Sequence, residues 1–430
     1  MLPFLLAGCV FVLPEERSAH RCEVGIAGPE SGDADDDGIA DCLDVEECDG
    51  LDNDGDAAVD EGLYPDEDGD GYGDETAVGP CYIGWVPSPG DCDDTDARVN
   101  AGATVELCDG KNSRCAADWT EDIDVVTLYA RDPDTAEPGE PTDLSLEFLD
   151  GAAITLNDGD LLNVCPARSG SYDVTIVTAT NAKSVSINGV LTDNLCDAAT
   201  VDQLPTLSGA GGETAVTLVG SARGTRVDID CLGITGGGVL GLVGGGLLVG
   251  PGVTATVSRS AIWGNSGAWF GGVWNQGSVT LDSVVIIDNL VQDAADTDGA
   301  GGIRSEGGGT LEMLGGTLSG NESPYSGGGA NILEGSASFY GTTFGGEEGG
   351  NRAEYRGGAL AVGAAANVTL NGVRVVGNGV EYEMGGAVWT AGTLNCQTDD
   401  DGVGEIVSNT ATDGVGGGLL RGGRTPGERV

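Results

Sequence analysis

A glycine pair followed by an apolar residue returns seven times in the second half of this chain, at an almost constant interval. The pairs stand at Gly245-Gly246-Leu247, Gly271-Gly272-Val273, Gly301-Gly302-Ile303, Gly328-Gly329-Ala330, Gly357-Gly358-Ala359, Gly385-Gly386-Ala387 and Gly417-Gly418-Leu419. Successive starts differ by 26, 30, 27, 29, 28 and 32 residues. Most units carry a second mark, an aliphatic residue, two others and then asparagine: Ile262…Asn265, Ile286…Asn289, Leu318…Asn321, Val375…Asn378 and Ile406…Asn409. The fourth unit departs, with Phe344-Gly345-Gly346-Glu347 in place of the mark and its asparagine displaced to Asn351. Units this short cannot enclose a core singly, so each must bury its apolar face against its neighbours in a stack.

Inside the units apolar residues alternate and then skip a phase, most clearly in Val279-x-Leu281-x-x-Val284-x-Ile286 and Val368-x-Leu370-x-x-Val373-x-Val375. Alternation marks a strand with one buried face. The skip predicts a bend between two short strands that both point apolar residues inward, and a strand at the glycine pair supplies a third side. Three strands per unit predict the coils of a mostly β, parallel β-helical fold. Asparagines at equivalent turns can then stack as a hydrogen-bonded ladder. A β-sandwich with Gly-rich turns would not repeat at this interval. The repeat is similar to those of polymorphic outer-membrane and autotransporter passenger proteins, and the pattern resembles the right-handed, pectin-lyase-like parallel β-helix. That resemblance makes Leu161-Leu162-Asn163-Val164-Cys165-Pro166, followed by Tyr172-Asp173-Val174-Thr175-Ile176, an opening coil, with 142–245 as the less regular first coils.

Several β-helix families cleave acidic polysaccharides. Hydrolysis needs two carboxylates about 5–10 Å apart on one face, and elimination needs a basic residue beside a calcium-bound uronate. Stacked coils bring equivalent residues together, and the column two places after the second glycine reads Leu248, Trp274, Arg304, Asn331, Leu360 and Val388, with no carboxylate. Arg304 and Glu306 share a strand and read as a surface pair. Trp263, Trp269, Trp274 and Trp389 read as edge packing or core, with a sugar-stacking platform as the alternative.

The first hundred residues follow another logic. Asp33-Ala34-Asp35-Asp36-Asp37-Gly38-Ile39-Ala40-Asp41 reads D-x-D-x-D-G-x-x-D, and Asp66-Glu67-Asp68-Gly69-Asp70-Gly71-Tyr72-Gly73-Asp74 repeats that pattern. Alternate carboxylates let a tight loop aim several hard oxygens at one centre, and a glycine at the sixth position permits the turn, which is a calcium-loop spacing. The first loop, Asp33, Asp35, Asp37 and Asp41, closes with Asp44 at its twelfth position. The second, Asp66, Asp68, Asp70 and Asp74, has Ala77 there, so its closing ligand comes from elsewhere; the run Asp91-Cys92-Asp93-Asp94-Thr95-Asp96 is the donor, through Asp91, Asp93, Asp94 and Asp96. No amphipathic helices flank the loops. They resemble thrombospondin type 3 loops, which implies that the acidic chain packs around its Ca2+ ions. A third stretch, with Asp52, Asp54, Asp56, Asp60 and Glu61, resembles the metal-binding modules of secreted bacterial surface proteins, with Gly55 where that motif has cysteine and Ala57 where it has glycine. A further copy at Cys108-Asp109-Gly110-Lys111-Asn112-Ser113-Arg114-Cys115 keeps the cysteines and loses the carboxylates, so it reads as a disulfide loop without an ion. Without metal, so many carboxylates and so little apolar surface favour disorder; the module is expected to order when calcium binds.

The whole chain carries 70 Asp+Glu against 18 Lys+Arg, a formal charge of -52, which disfavours nucleic acid and anionic lipid as partners. The single histidine, His20, argues against imidazole-based zinc or copper sites. Twelve cysteines without a C-x-x-C pair read as extracytoplasmic disulfides, and the expected bridges are Cys108–Cys115 and Cys81–Cys92. If Cys9 is lipidated, an odd number remains, with Cys48 expected to lack a partner. Leu6-Ala7-Gly8-Cys9 resembles a bacterial lipobox; an ordinary export signal running on through Val10-Phe11-Val12-Leu13, or a buried apolar segment, are the alternatives. No later apolar run is long enough to span a membrane.

The domain reading is an export signal and tether at 1–20, an acidic cysteine-rich calcium module at 21–125, a proline-punctuated linker at 126–141 and the β-helix at 142–430, which ends just inside a seventh unit as though truncated. The expected function is that of a non-enzymatic cell-surface or secreted protein. In it a calcium-stiffened stalk presents a β-helical rod to glycans or surface proteins, and the membrane is touched only through a lipid on Cys9. The alternative is a polysaccharide-binding or polysaccharide-degrading β-helix.

Overall fold

The computed structural model describes residues 62–421, apart from 75, 77–81, 83, 104–105, 110, 117–124, 132–137, 145–152, 168, 192–195, 197–202, 210–212, 221–223, 239–243, 293–297, 347–348, 398–403 and 414–415. These form two compact units, one holding the described residues up to Glu106 together with 111–116, the other holding 107–109 and everything from 125 onward. Every regular element among them is a β-strand.

The larger unit is a parallel β-solenoid. Each coil gives one strand to sheet A (for example Val273–Asn275), one to sheet B (Ser278–Asp282) and one to sheet C (Val285–Ile287), and each pairs in parallel with its equivalent in the next coil. Sheet C stacks nine strands, from Tyr172–Asp173 to Glu405–Val407. In the last six of these coils a fourth, two-residue strand builds a six-stranded sheet D, from Ser266–Gly267 to Thr410–Ala411. Two residues carry no visible alternation, so sheet D left no mark in the sequence pattern.

The phase skip has a backbone cause. Val279, Leu281, Val284 and Ile286 are all buried, and between the two strands Ser283 adopts φ 56°. Its equivalents Cys231, Arg259, Gly341 and Gly372 are left-handed too, at φ 57°, 46°, 59° and 61°. One left-handed residue per coil turns the chain without spending an apolar position; where it is not glycine it carries a local strain that the stack must offset. A second left-handed residue precedes every ladder asparagine except Asn351, at Gly264, Asp288, Gly320, Gly377 and Ser408.

The asparagines form a continuous ladder. Asn265, Asn289, Asn321, Asn351 and Asn378 each donate from Nδ2 to the Oδ1 of the next, ending at Asn409, at 2.8–3.0 Å. Each Oδ1 also accepts the backbone N–H of the preceding asparagine. The displaced Asn351 still takes its place in the ladder, and Gly345 and Gly346 at the end of the preceding strand are left-handed, at φ 85° and 153°. Phe344 meanwhile fills the column of Leu318 and Val375 and meets Phe339 edge-on at 5.1 Å, both rings fully buried. The glycine pairs exist for close approach: a Cβ on Gly272 would lie 2.6 Å from the Gly302 carbonyl oxygen of the next coil, and one on Gly302 2.3 Å from that of Gly329.

Three sequence expectations are corrected. The column reading slips by one after the triple glycine at 327–329. Ala330 pairs with Leu360 and Leu360 with Val388, so the outward column continues from Asn331 to Ala361 and Trp389, while Leu360 and Val388 point inward. The segment read as a linker contains strands Val126–Arg131 and Pro138–Asp143, and Val126–Arg131 pairs antiparallel with Leu161–Val164, covering the first edge of sheet B. The expected bridges Cys108–Cys115 and Cys81–Cys92 are replaced by Cys92–Cys115, Cys108–Cys165 and Cys196–Cys231. Cys108 belongs to the solenoid unit, where its N–H bonds Thr127 Oγ1 and its carbonyl accepts from Asn163, whereas Cys115 lies in the smaller unit. Among the described cysteines only Cys396 is free. Cys9, Cys48 and Cys81 lie outside the described residues. Three disulfides are the mark of an oxidising, extracytoplasmic compartment.

Candidate metal centre

In the smaller unit the second acidic loop lies between two short pairings. Tyr64–Pro65 runs antiparallel to Trp85–Val86, and Gly73–Asp74 runs parallel to Pro89–Asp91, with Asp74 opposite Asp91. The loop winds on its own carboxylates: Asp66 accepts the N–H groups of Gly69, Asp70 and Gly71, Asp68 that of Asp70, and Asp70 that of Tyr72. Gly71, the sixth residue of the motif, takes φ 92°, a conformation that side chains resist. The result brings one oxygen each of Asp66, Asp68 and Asp70 within 4.8 Å of one another, a group that could hold a metal ion.

The aspartate run at 91–96 is divided by the structure. Asp94 accepts the N–H of Glu67 at 2.8 Å, which sets it against the loop. Asp91 is buried, at 4 % exposure. Its carboxyl is pushed up to about 6, first by burial and then by the negative charges of Asp70, Asp68 and Asp94, against a lowering bond from the Asp93 N–H. Asp68 is raised as well, by burial and then by Asp70. Asp68 Oδ2 and Asp91 Oδ2 are buried without a hydrogen-bond partner among the described residues. Two orphaned carboxylate oxygens beside a converging carboxylate loop fit an all-oxygen cation site, because a buried acceptor left unmatched is costly and a hard cation matches it. Asn100 donates from Nδ2 to Asp70 Oδ2, at 2.5 Å.

Asp93 and Asp96 face elsewhere. Lys111 Nζ reaches both, at 2.6 and 3.0 Å, and Arg98 forks onto Asp96. The Arg98 hydrogen bonds hold the Asp96 carboxyl far below the usual carboxylate range, with Lys111 adding to them, and Lys111 likewise lowers Asp93. Asp74 is occupied with Thr76. Lys111 thus has a partner role that its place in a degenerate metal motif did not reveal. The other expected ligands, Asp33, Asp35, Asp37, Asp41, Asp44, Asp52, Asp54, Asp56, Asp60 and Glu61, lie outside the described residues. The buried hydrophobic side chains of the smaller unit's described part are Leu63 and Val99.

On the solenoid, Arg304 and Glu306 are more than a surface pair. Arg304 is only 4 % exposed, bonds Glu306 at 2.8 Å and lies 5.3 Å over the Trp274 ring. Glu306 also accepts from Trp274 Nε1 and Gln276 Nε2. The four tryptophans do not share one platform: Trp269 and Trp274 meet at 5.5 Å, Trp389 stands under Arg356, and Trp263 packs beside Cys231 and Ala261.

No protein-family model matches this sequence, and no curated protein or solved structure matches it significantly.

Proposed function

We propose that the smaller unit is a calcium-binding stalk module and that the solenoid is a non-enzymatic rod it helps to present outside the cell. The observation that carries this reading is the pair of orphaned, buried carboxylate oxygens, on Asp68 and Asp91, beside the Asp66–Asp68–Asp70 cluster. Calcium suits the donors because it takes six to eight oxygens in flexible geometry. Asp66, Asp68, Asp70, Asp91 and Asp94 would hold it, its charge offsetting the burial and the mutual repulsion that raise Asp68 and Asp91. In that role the ion would substitute for an apolar core, to which the described residues of the unit contribute only the buried Leu63 and Val99, in the manner of thrombospondin type 3-like loops. Export and tethering through the lipobox-like Leu6-Ala7-Gly8-Cys9 would make the chain a bacterial surface lipoprotein with an adhesive rod. The test is calorimetric calcium titration of the full chain, run beside a depolymerisation assay on acidic and neutral polysaccharides. The reading expects binding at or below millimolar calcium and no cleavage; absence of binding defeats the module assignment, and cleavage defeats the non-enzymatic one.

A further inference from the structure

The corrected register exposes a notch on the outer face of sheet A. Along the outward column the side chains are Trp274, Arg304, Asn331, Ala361 and Trp389, one coil apart, or about 4.8 Å. At the fourth place the column shrinks to a methyl, and two residues on Gly363 has no side chain at all. A turn segment rises beside this gap in each coil. Tyr325 and Tyr355 stack there at 6.0 Å with their planes 15° apart, and Tyr355 continues to Tyr382 at 6.0 Å. Arg356 donates to Glu383 at 2.9 Å and lays its guanidinium 4.7 Å over the Trp389 ring. The groove so formed has a volume of about 460 Å³ and is lined by Ala361, Gly363, Tyr355 and Trp389 together with the polar Asn331, Glu383 and Asp298.

We propose that this groove binds a neutral saccharide chain, a ligand class that deepens, and rests on, the reading of the solenoid as a recognition rod. Aromatic faces beside an amide, a carboxylate and a guanidinium suit a ring with apolar C–H faces and hydroxyl edges. Charge removes the competitors. The chain's formal charge of -52 and the carboxylates of Glu383 and Asp298 repel anionic polymers, while Arg356 already occupies the Trp389 face and the Glu383 carboxylate on which a cationic ligand would dock. An extended peptide has no strand edge to join here, because each sheet A strand is paired to a coil on both sides. Arg356 is a positioning residue: its bond to Glu383 fixes that acceptor, and its stacking fixes the Trp389 ring.

The test is calorimetric titration of the full chain with neutral gluco-, galacto-, manno- and xylo-oligosaccharides, with oligogalacturonate and chitosan oligomers as anionic and cationic comparators. At least one neutral series is expected to bind. Trp389→Ala and Tyr355→Ala should each weaken it at least about tenfold, with circular dichroism unchanged. Tyr340→Ala, which removes an exposed aromatic on sheet B, should leave it intact. Binding by no neutral series, tighter binding of a charged comparator, or indifference to both groove variants would each overturn the proposal. Calcium titration of the same samples separates the two readings. Saccharide binding without calcium binding breaks only the stalk assignment, and calcium binding without saccharide binding breaks only this one.

Discussion

The asparagine ladder of the solenoid and the acidic loop of the smaller unit treat their polar groups in opposite ways. In the solenoid the Asn265–Asn409 ladder is closed, with every amide oxygen and nitrogen from Asn289 to Asn378 engaged by neighbouring coils. In the described part of the smaller unit the buried Asp91 and the half-buried Asp68 are carboxylates raised by burial and by mutual repulsion, and one oxygen of each ends without a partner. A closed network fixes a structure on its own, whereas an open one awaits a ligand. The difference teaches where to look for each unit's stability: neighbour stacking in one and, on the proposed reading, a bound cation in the other.

The comparison breaks most sharply at the ladder. Asn321→Ala removes two accepted and two donated buried hydrogen bonds. It should cost about 3–5 kcal/mol in guanidinium unfolding followed at the solenoid. A loss under about 1 kcal/mol would mean that the ladder is incidental to the stack. Next in size, Cys108→Ser with Cys165→Ser opens a bridge of sequence separation 57. It should lower solenoid stability by about 2–4 kcal/mol, independently of calcium.

The acidic unit is sharpened by a variant with two opposite effects. Asp91→Asn removes a buried charge that its neighbours oppose. In chelator it should therefore stabilise the smaller unit by about 2 kcal/mol, while lowering calcium affinity at least about tenfold. A variant that destabilises in both conditions would make Asp91 an ordinary structural residue. The smallest expected effect is on pH. Asp91 titrates near 3.8 when unfolded and about 6 when folded. The folded state thus holds its proton more tightly, and the stabilisation present below the lower value is lost as pH rises through the upper one. In chelator the smaller unit should weaken from about pH 4 to about pH 6, and saturating calcium should reverse the trend; hydrogen exchange read over residues 62–116 checks both.

Much of the solenoid was legible because its physics repeats. The Gly-Gly pair, the alternation and the asparagine mark each state one requirement of a coil, and even the displaced Asn351 obeyed the ladder. What escaped was what does not repeat. The triple glycine at 327–329 satisfies two registers, so Trp389 fell out of its true column. The strand Val126–Arg131 was hidden by the prolines that follow it, and the Cys108–Cys165 bridge joins residues whose proximity only the fold creates. In the acidic unit the spacing of Asp66, Asp68 and Asp70 was enough to place a loop. It could not show that Asp91 and Asp94 turn toward that loop while Lys111 draws Asp93 and Asp96 away.

The most direct measurement is hydrogen exchange of the full chain with and without calcium, compared peptide by peptide between residues 62–116 and the solenoid. The account predicts strong calcium-dependent protection around 66–74 and 89–96, and none across the asparagine ladder. Equal protection of 66–74 in chelator and in calcium would contradict it.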